Sequence, residues 1–312
     1  MFAVRGFAVS LAFFGSLYWL LSLAVTCLWR GLKLLRRIPP RTLASLFFTL
    51  RILPLAISGL ITLAFAVPSF LRLEPRSIEE DLGVVPVALG LSALALFTVG
   101  LCRVAAAQSR TSRVVKKWLA GANALDAGAA APTFQAGSAS PPLTLVGICR
   151  PKVVASKATV AMLSRDELRV AVGHEMAHVR SYDNLRKLVF RFAPFPGMAS
   201  LEGAWSEAVE LAADDAAVSS RQEALDLAAA LVKLSRLVPV QAAPAFAMGL
   251  VNASGTVSAR VERLLAWDGT ARQFTSLRWY AIPAVLGSLL GIAFLYGPAL
   301  TLTHQFTEML VR

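Results

Sequence analysis

Residues 164–187 read SRDELRVAVGHEMAHVRSYDNLRK. His174 and His178 are four apart, so on an α-helix their imidazoles leave one face and can meet a single metal ion, with Glu175 one position round. Ser164 and Glu167 have the capping-box spacing that starts such a helix. Neutral imidazoles hold zinc without cancelling its charge, which leaves the ion able to acidify a water and polarise a carbonyl. A neighbouring carboxylate can take the water's proton. His174 and His178 are therefore candidate ligands of one zinc ion, and Glu175 is the candidate general base.

The chain around this helix is too apolar for a wholly soluble protein. Of its 312 residues 56% are hydrophobic, and the mean hydropathy is +0.61. Four uncharged stretches, Phe7–Trp29, Ile52–Leu71, Val84–Cys102 and Trp279–Thr303, reach or approach the length of about 20 residues that crosses a hydrocarbon layer. The first is long and has no basic lead-in beyond Arg5, so it reads as a retained span rather than a cleaved leader. Residues 1–102 then hold three spans, 103–278 form the one sizeable soluble domain, and 279–312 hold a fourth span and a short tail.

The formal net charge of +12 is concentrated beside these stretches. Arg30, Lys33, Arg36, Arg37, Arg41 and Arg51 separate the first two, and Arg103, Arg110, Arg113, Lys116 and Lys117 follow the third. Between the second and third, Glu74, Glu79, Glu80 and Asp81 outnumber Arg72 and Arg76. The positive-inside rule makes the basic loops and the 103–278 domain cytoplasmic, and puts both termini outside, as in a multi-pass protein of a bacterial inner membrane. Topology and anionic lipid account for the basic excess, so no nucleic-acid partner is expected. Cys27, Cys102 and Cys149 make neither a disulfide framework nor a cysteine-rich zinc site.

Within the soluble domain, Val104–Leu119 reads as a basic helix, and Ala120–Pro142, rich in Ala, Gly, Ser and Pro, as a linker without a compact core. Leu143–Ile148, Lys152–Ser156 and Thr159–Met162 are short β-branched runs expected to form strands beside the metal helix, where an edge strand could bind an extended peptide. The metal helix is expected to run past Asp183, read as a cap or brace, towards Arg191, before Pro194 and Pro196. A second helix is expected over Leu201–Ser219. Gln222–Leu237 reads as an amphipathic helix burying Leu225, Ala228, Ala229 and Val232, and Val257–Ala266 as another packing helix.

Zinc needs at least one more protein ligand. The chain has three histidines, and the third, His304, follows the last span, on the far side of the membrane from the motif. Cys149 lies on an expected strand. Glu207, Glu210 and Asp214 fall at i, i+3 and i+7 and share a helix face, with Glu210 the first choice and the other two open. Asp214 could instead accept a proton from a ligand histidine and fix its ring. Tyr182, one turn beyond His178, is a candidate oxyanion donor but reads better as a packing or surface residue.

HEMAHVRSYDNL followed by ELAADDAAV resembles the bacterial BlaR/MecR-type membrane peptidases, and PLTLVGICRPKVVAS and ARVERLL are similar to segments of the same family. The resemblance implies four transmembrane helices around a cytoplasmic α+β zincin-like domain with a small sheet beside the HExxH helix. It also implies a zinc-dependent gluzincin with His174, His178 and Glu210 as ligands, Glu175 as catalyst and Asp214 supporting a ligand. The expected activity is cleavage of a cytoplasmic protein or peptide, such as a transcriptional repressor or the protease itself, in regulated proteolysis. The alternatives are HtpX-like membrane-protein quality control and a non-catalytic membrane transducer. The family's antibiotic sensors carry a large outer domain after the last span, whereas about ten residues follow Thr303 here, so β-lactam sensing is not implied.

Overall fold

The computed structural model describes residues 2–31, 38–75, 83–126, 131–137, 140–237, 247–249, 257–269 and 296–309. It divides into two units, one of Met1–Leu32, Ile52–Val99 and Gln273–Arg312, the other of Lys33–Arg51 and Gly100–Arg272.

Among the described residues, three helices are long and apolar enough to cross a membrane. Helix α1 spans Phe2–Gly31. Helix α2, Pro40–Ile61, continues through a π-helical turn at Thr62–Ala66 into α3, Val67–Leu73. Helix α4, Val84–Leu119, joins the third apolar stretch to the basic segment after it in one element. The second helix thus starts twelve residues before the expected Ile52, because Pro40 at its first turn gives up no helical hydrogen bond. Its guanidinium at Arg51, expected in a loop, is buried. Arg51 Nε donates to Glu202 Oε1 at 2.7 Å and Nη2 to the Ala193 carbonyl at 2.6 Å, so the charge is paired within the second unit. Of the fourth expected span, residues 279–295 lie outside the described residues, and 296–309 are helical.

The second unit is built on a five-stranded mixed sheet of order β1-β2-β4-β3-β5. The strands are β1 Asn123–Leu125, β2 Thr133–Ala136, β3 Leu143–Val146, β4 Lys152–Ser156 and β5 Ala247–Gly249. β2 pairs parallel with β4, and the other pairs are antiparallel. Two expectations fail here. The Ala120–Pro142 segment contributes β1 and β2 instead of serving as a linker, and Ala136 is fully buried in a cluster with Trp118, Val146 and Val154. Partners elsewhere in the sheet supply the order that local composition lacks. Residues 159–162 are not a strand but lie in helix α5, Lys157–Met162. Ser156 caps it by accepting from Thr159 N at 3.1 Å, and Thr159 Oγ1 donates to the Pro142 carbonyl, which takes this β-branched residue out of the sheet.

Helix α6, Arg165–Arg180, starts at the expected capping box, with both reciprocal bonds of Ser164 and Glu167 formed. It packs against β3 and between helices α8, Ala199–Ala217, and α9, Arg221–Ser235. Lys233 Nζ on α9 reaches Glu167 Oε2 at 2.7 Å and ties the two together. α9 buries Ala224, Leu227, Ala228, Leu231 and Leu234, a helical stripe turned from the expected one, and Leu225 and Val232 face outward. Each fully buried leucine of that stripe contributes about 1.5–3 kcal/mol. Helix α10, Val257–Leu265, follows.

The metal helix does not run on to Arg191. It stops at Arg180, Tyr182 takes a left-handed conformation with φ 55°, and helix α7 restarts over Asp183–Phe192. A tyrosine there carries strain of about 1–2 kcal/mol. Since the ring of Tyr182 is 69% exposed, the backbone dominates the outcome of substitution. We expect Tyr182→Val, with its β-branch, to lower stability by about 1 kcal/mol while Tyr182→Gly does not. Thermal unfolding of the full chain in detergent measures this, and a neutral Val variant would argue against the break.

Candidate metal centre

Helix α6 projects His174 and His178 from one face and α8 brings Glu210 to meet them. His174, His178 and Asp214 are inaccessible to solvent and Glu210 nearly so. The two Nε2 atoms face each other at 3.2 Å. Glu210 Oε2 lies 3.5 Å from His174 Nε2, and its Oε1 lies 3.9 Å from His178 Nε2.

The outer nitrogens explain why those inner ones point inward. His178 Nδ1 is 2.9 Å from Asp183 Oδ2, and His174 Nδ1 makes a bent contact with Asp214 Oδ1 at 3.0 Å. Carboxylates accept, so a ring in its neutral form would keep its proton on Nδ1 and turn the lone pair of Nε2 inward. Two imidazole nitrogens and a carboxylate thus converge on one point. A cation fits that donor set. Bonds of about 2.0–2.1 Å at tetrahedral angles place ligand atoms roughly 3.3 Å apart, close to the spacing of the imidazole pair.

The break at Tyr182 is what makes the Asp183 contact. On an unbroken helix residue i+5 lies about 140° round from residue i, too far to reach the same ring. Asn184 fixes the start of α7 by donating from Nδ2 to the Gly147 carbonyl at 2.8 Å. We expect Asp183→Asn to weaken zinc binding about 10- to 100-fold by loosening the tautomer of His178. Competition with a chromophoric chelator reads this, and unchanged affinity would remove Asp183 from the site.

Arg260, on α10, was not identified in the sequence. Its guanidinium grips Asp214 through Nε at 2.8 Å and Nη2 at 2.6 Å, and its Nη1 lies 3.1 Å from Glu210 Oε2. One turn on, Arg263 Nη2 donates to both oxygens of Asp215. The signal was present as two arginines three apart in ARVERLL and two adjacent aspartates in ELAADD, but nothing local pairs them.

Glu175 lies on α6 between the ligands, also without solvent access. Oε2 accepts the Leu145 amide of β3 at 3.0 Å, and Oε1 has no hydrogen-bond partner among the described residues. Burial pushes this carboxyl up to about 8; His174 pulls against it and Glu210 adds to it. Burial also raises Glu210, but the two histidines and Arg260 outweigh that and hold it at about 2. For His174 burial acts downward, yet Asp214 and Glu210 raise it to about 9. Lys187 lies one turn beyond Asp183; burial lowers its ammonium, opposed by Glu210, Asp183 and Glu175. The protein's own charges thus leave Glu175 the one carboxyl of the group that takes a proton near neutrality.

The structure brings together His174, Glu175, His178, Glu210 and Asp214. Glu207 and Cys149 are exposed and stand apart, as does Tyr182. β3 has β4 on one side and β5 on the other, so the described edges of the sheet are β1 and β5. Comparison with protein-family models gives no match, and neither does comparison with curated proteins.

Proposed function

We propose that this membrane protein is a zinc-dependent endopeptidase that cleaves a cytoplasmic protein, as its resemblance to BlaR/MecR-type peptidases implies. The observation that carries the reading is the convergence of the His174, His178 and Glu210 donor atoms beside a buried carboxyl, Glu175, whose Oε1 is unpartnered. His174, His178 and Glu210 would hold the zinc, with Asp214 and Asp183 keeping both rings in the ligating tautomer. Zinc supplies the Lewis acidity that activates water and polarises the scissile carbonyl.

Glu175 performs the proton transfers. The Leu145 amide anchors Oε2 and leaves Oε1 to take a proton from the attacking water and return it to the leaving amine. Burial makes Glu175 a stronger base than a solvated carboxylate, and a cation held beside it would favour the ionised form that takes the proton. Arg260 pairs with Asp214 and lies against Glu210, offsetting one of their two charges, so that both buried carboxylates can lie near one ion.

Proteome comparison of cells expressing the unaltered and Glu175→Gln forms tests the assignment. Accumulation of one intact soluble regulator in the variant supports regulated proteolysis. A broad set of membrane-protein fragments lost in the variant would move the reading to quality control of the HtpX-like kind. Identical peptide profiles would refute peptidase activity.

A further inference from the structure

We infer that Glu74, His304 and Glu308 form a second divalent-cation site, at the end of the membrane unit where α1 begins and α3 ends. One potential ligand atom from each of the three lies within 4.8 Å of the others. His304 and Glu308 are four apart on the helix of residues 296–309, so they leave one face, the spacing that also joins His174 to His178. Glu74 comes from a different segment. It terminates α3 in an extended conformation, φ −76° and ψ 126°.

Two features point to a ligand rather than a simple ion-pair cluster. His304 Nδ1 is shut off from solvent and has no hydrogen-bond partner. One carboxylate oxygen of Glu74 and one of Glu308 lie within 4.8 Å of each other, and a cation between them would offset the repulsion of two like charges. Arg5 Nη2 meets Glu74 Oε1 at 2.8 Å, which orients that carboxylate and cancels one of the two charges. The Glu308 carboxyl and the His304 imidazole remain. One nitrogen and two carboxylate donors suit a first-row ion such as zinc or manganese better than calcium, which takes six to eight oxygens. The charge distribution of the loops puts this end outside the cytoplasm, so the ion would come from the extracytoplasmic solution. None of these residues belongs to the His174 centre, and the inference does not depend on the peptidase reading.

Zinc counted after equilibrium dialysis of the full-length protein in detergent tests it. The unaltered chain should hold two ions, His304→Ala/Glu308→Gln one, and His174→Ala/His178→Ala one. The last variant keeps the test decisive if the first fails to fold. Cobalt substituted into it should give a spectrum of nitrogen and oxygen ligation that disappears when His304→Ala is added. Two ions retained in His304→Ala/Glu308→Gln, or none in His174→Ala/His178→Ala, would overturn the second site. One ion in the unaltered chain that survives His174→Ala/His178→Ala but not His304→Ala would instead support it and sink the peptidase centre.

Discussion

Replacing Glu175 by Gln is expected to lower peptide cleavage about 10²- to 10⁴-fold while zinc content stays that of the unaltered chain. The substitution keeps the volume of a side chain that is wholly buried. Its amide oxygen can still accept the Leu145 N–H, so the contact between α6 and β3 survives. What disappears is the ability to accept a proton at the other position. Cleavage of the identified substrate, with metal analysis of the same preparation, reads both parts. Loss of zinc along with activity would make Glu175 a ligand or a structural group. Retained activity would remove it from the chemistry.

Arg260→Met should destabilise the second unit by about 3–5 kcal/mol, because it leaves Asp214 and part of Glu210 buried without their cation. Asp214 shows how the pair works. Burial raises its carboxyl, but the hydrogen bonds from Arg260 and the nearby His174 overcome this and bring it down to about 2. A depressed folded value means the stabilisation is fully present above the unfolded value of about 3.9 and is lost as pH falls towards 2. In Arg260→Met that acid limb should move to higher pH. Saturating zinc should recover part of the deficit, since a divalent ion restores positive charge between the same groups. Thermal unfolding of the full chain in detergent, with and without zinc and across pH, separates these effects. A change below 1 kcal/mol would mean that water replaces the guanidinium and that the centre is less dry than its burial implies.

What could be read from the sequence follows the reach of each interaction. Ser164 to Glu167 and His174 to His178 are spacings within one helix, and helical periodicity alone places them. Glu210 needed a second helix, but its position four before Asp214 gave a face to reason from. Asp183 and Arg260 were out of reach for different reasons. The first acts only because the helix breaks at Tyr182, a tyrosine in a conformation that glycine or asparagine usually marks. The second meets Asp214 across 46 residues of chain. The strands β1 and β2 were hidden by the same cause: their order comes from neighbours in the sheet, and Ala-, Gly- and Ser-rich flanks mask it. Thr159 misled in the opposite direction, a β-branched residue recruited by a helix cap.

The π-helical turn at Thr62–Ala66 has a consequence for biogenesis. The Tyr296 hydroxyl donates to the Ala64 carbonyl at 3.0 Å, across 232 residues. A backbone oxygen in hydrocarbon has no water to accept from, so an outside donor matters more there than it would at a wet surface. When the ribosome has delivered the second apolar helix to the bilayer, that donor has not yet been synthesised. This hydrogen bond therefore forms only after Tyr296 has emerged, and a translation product truncated before it would leave the turn waiting for its phenol.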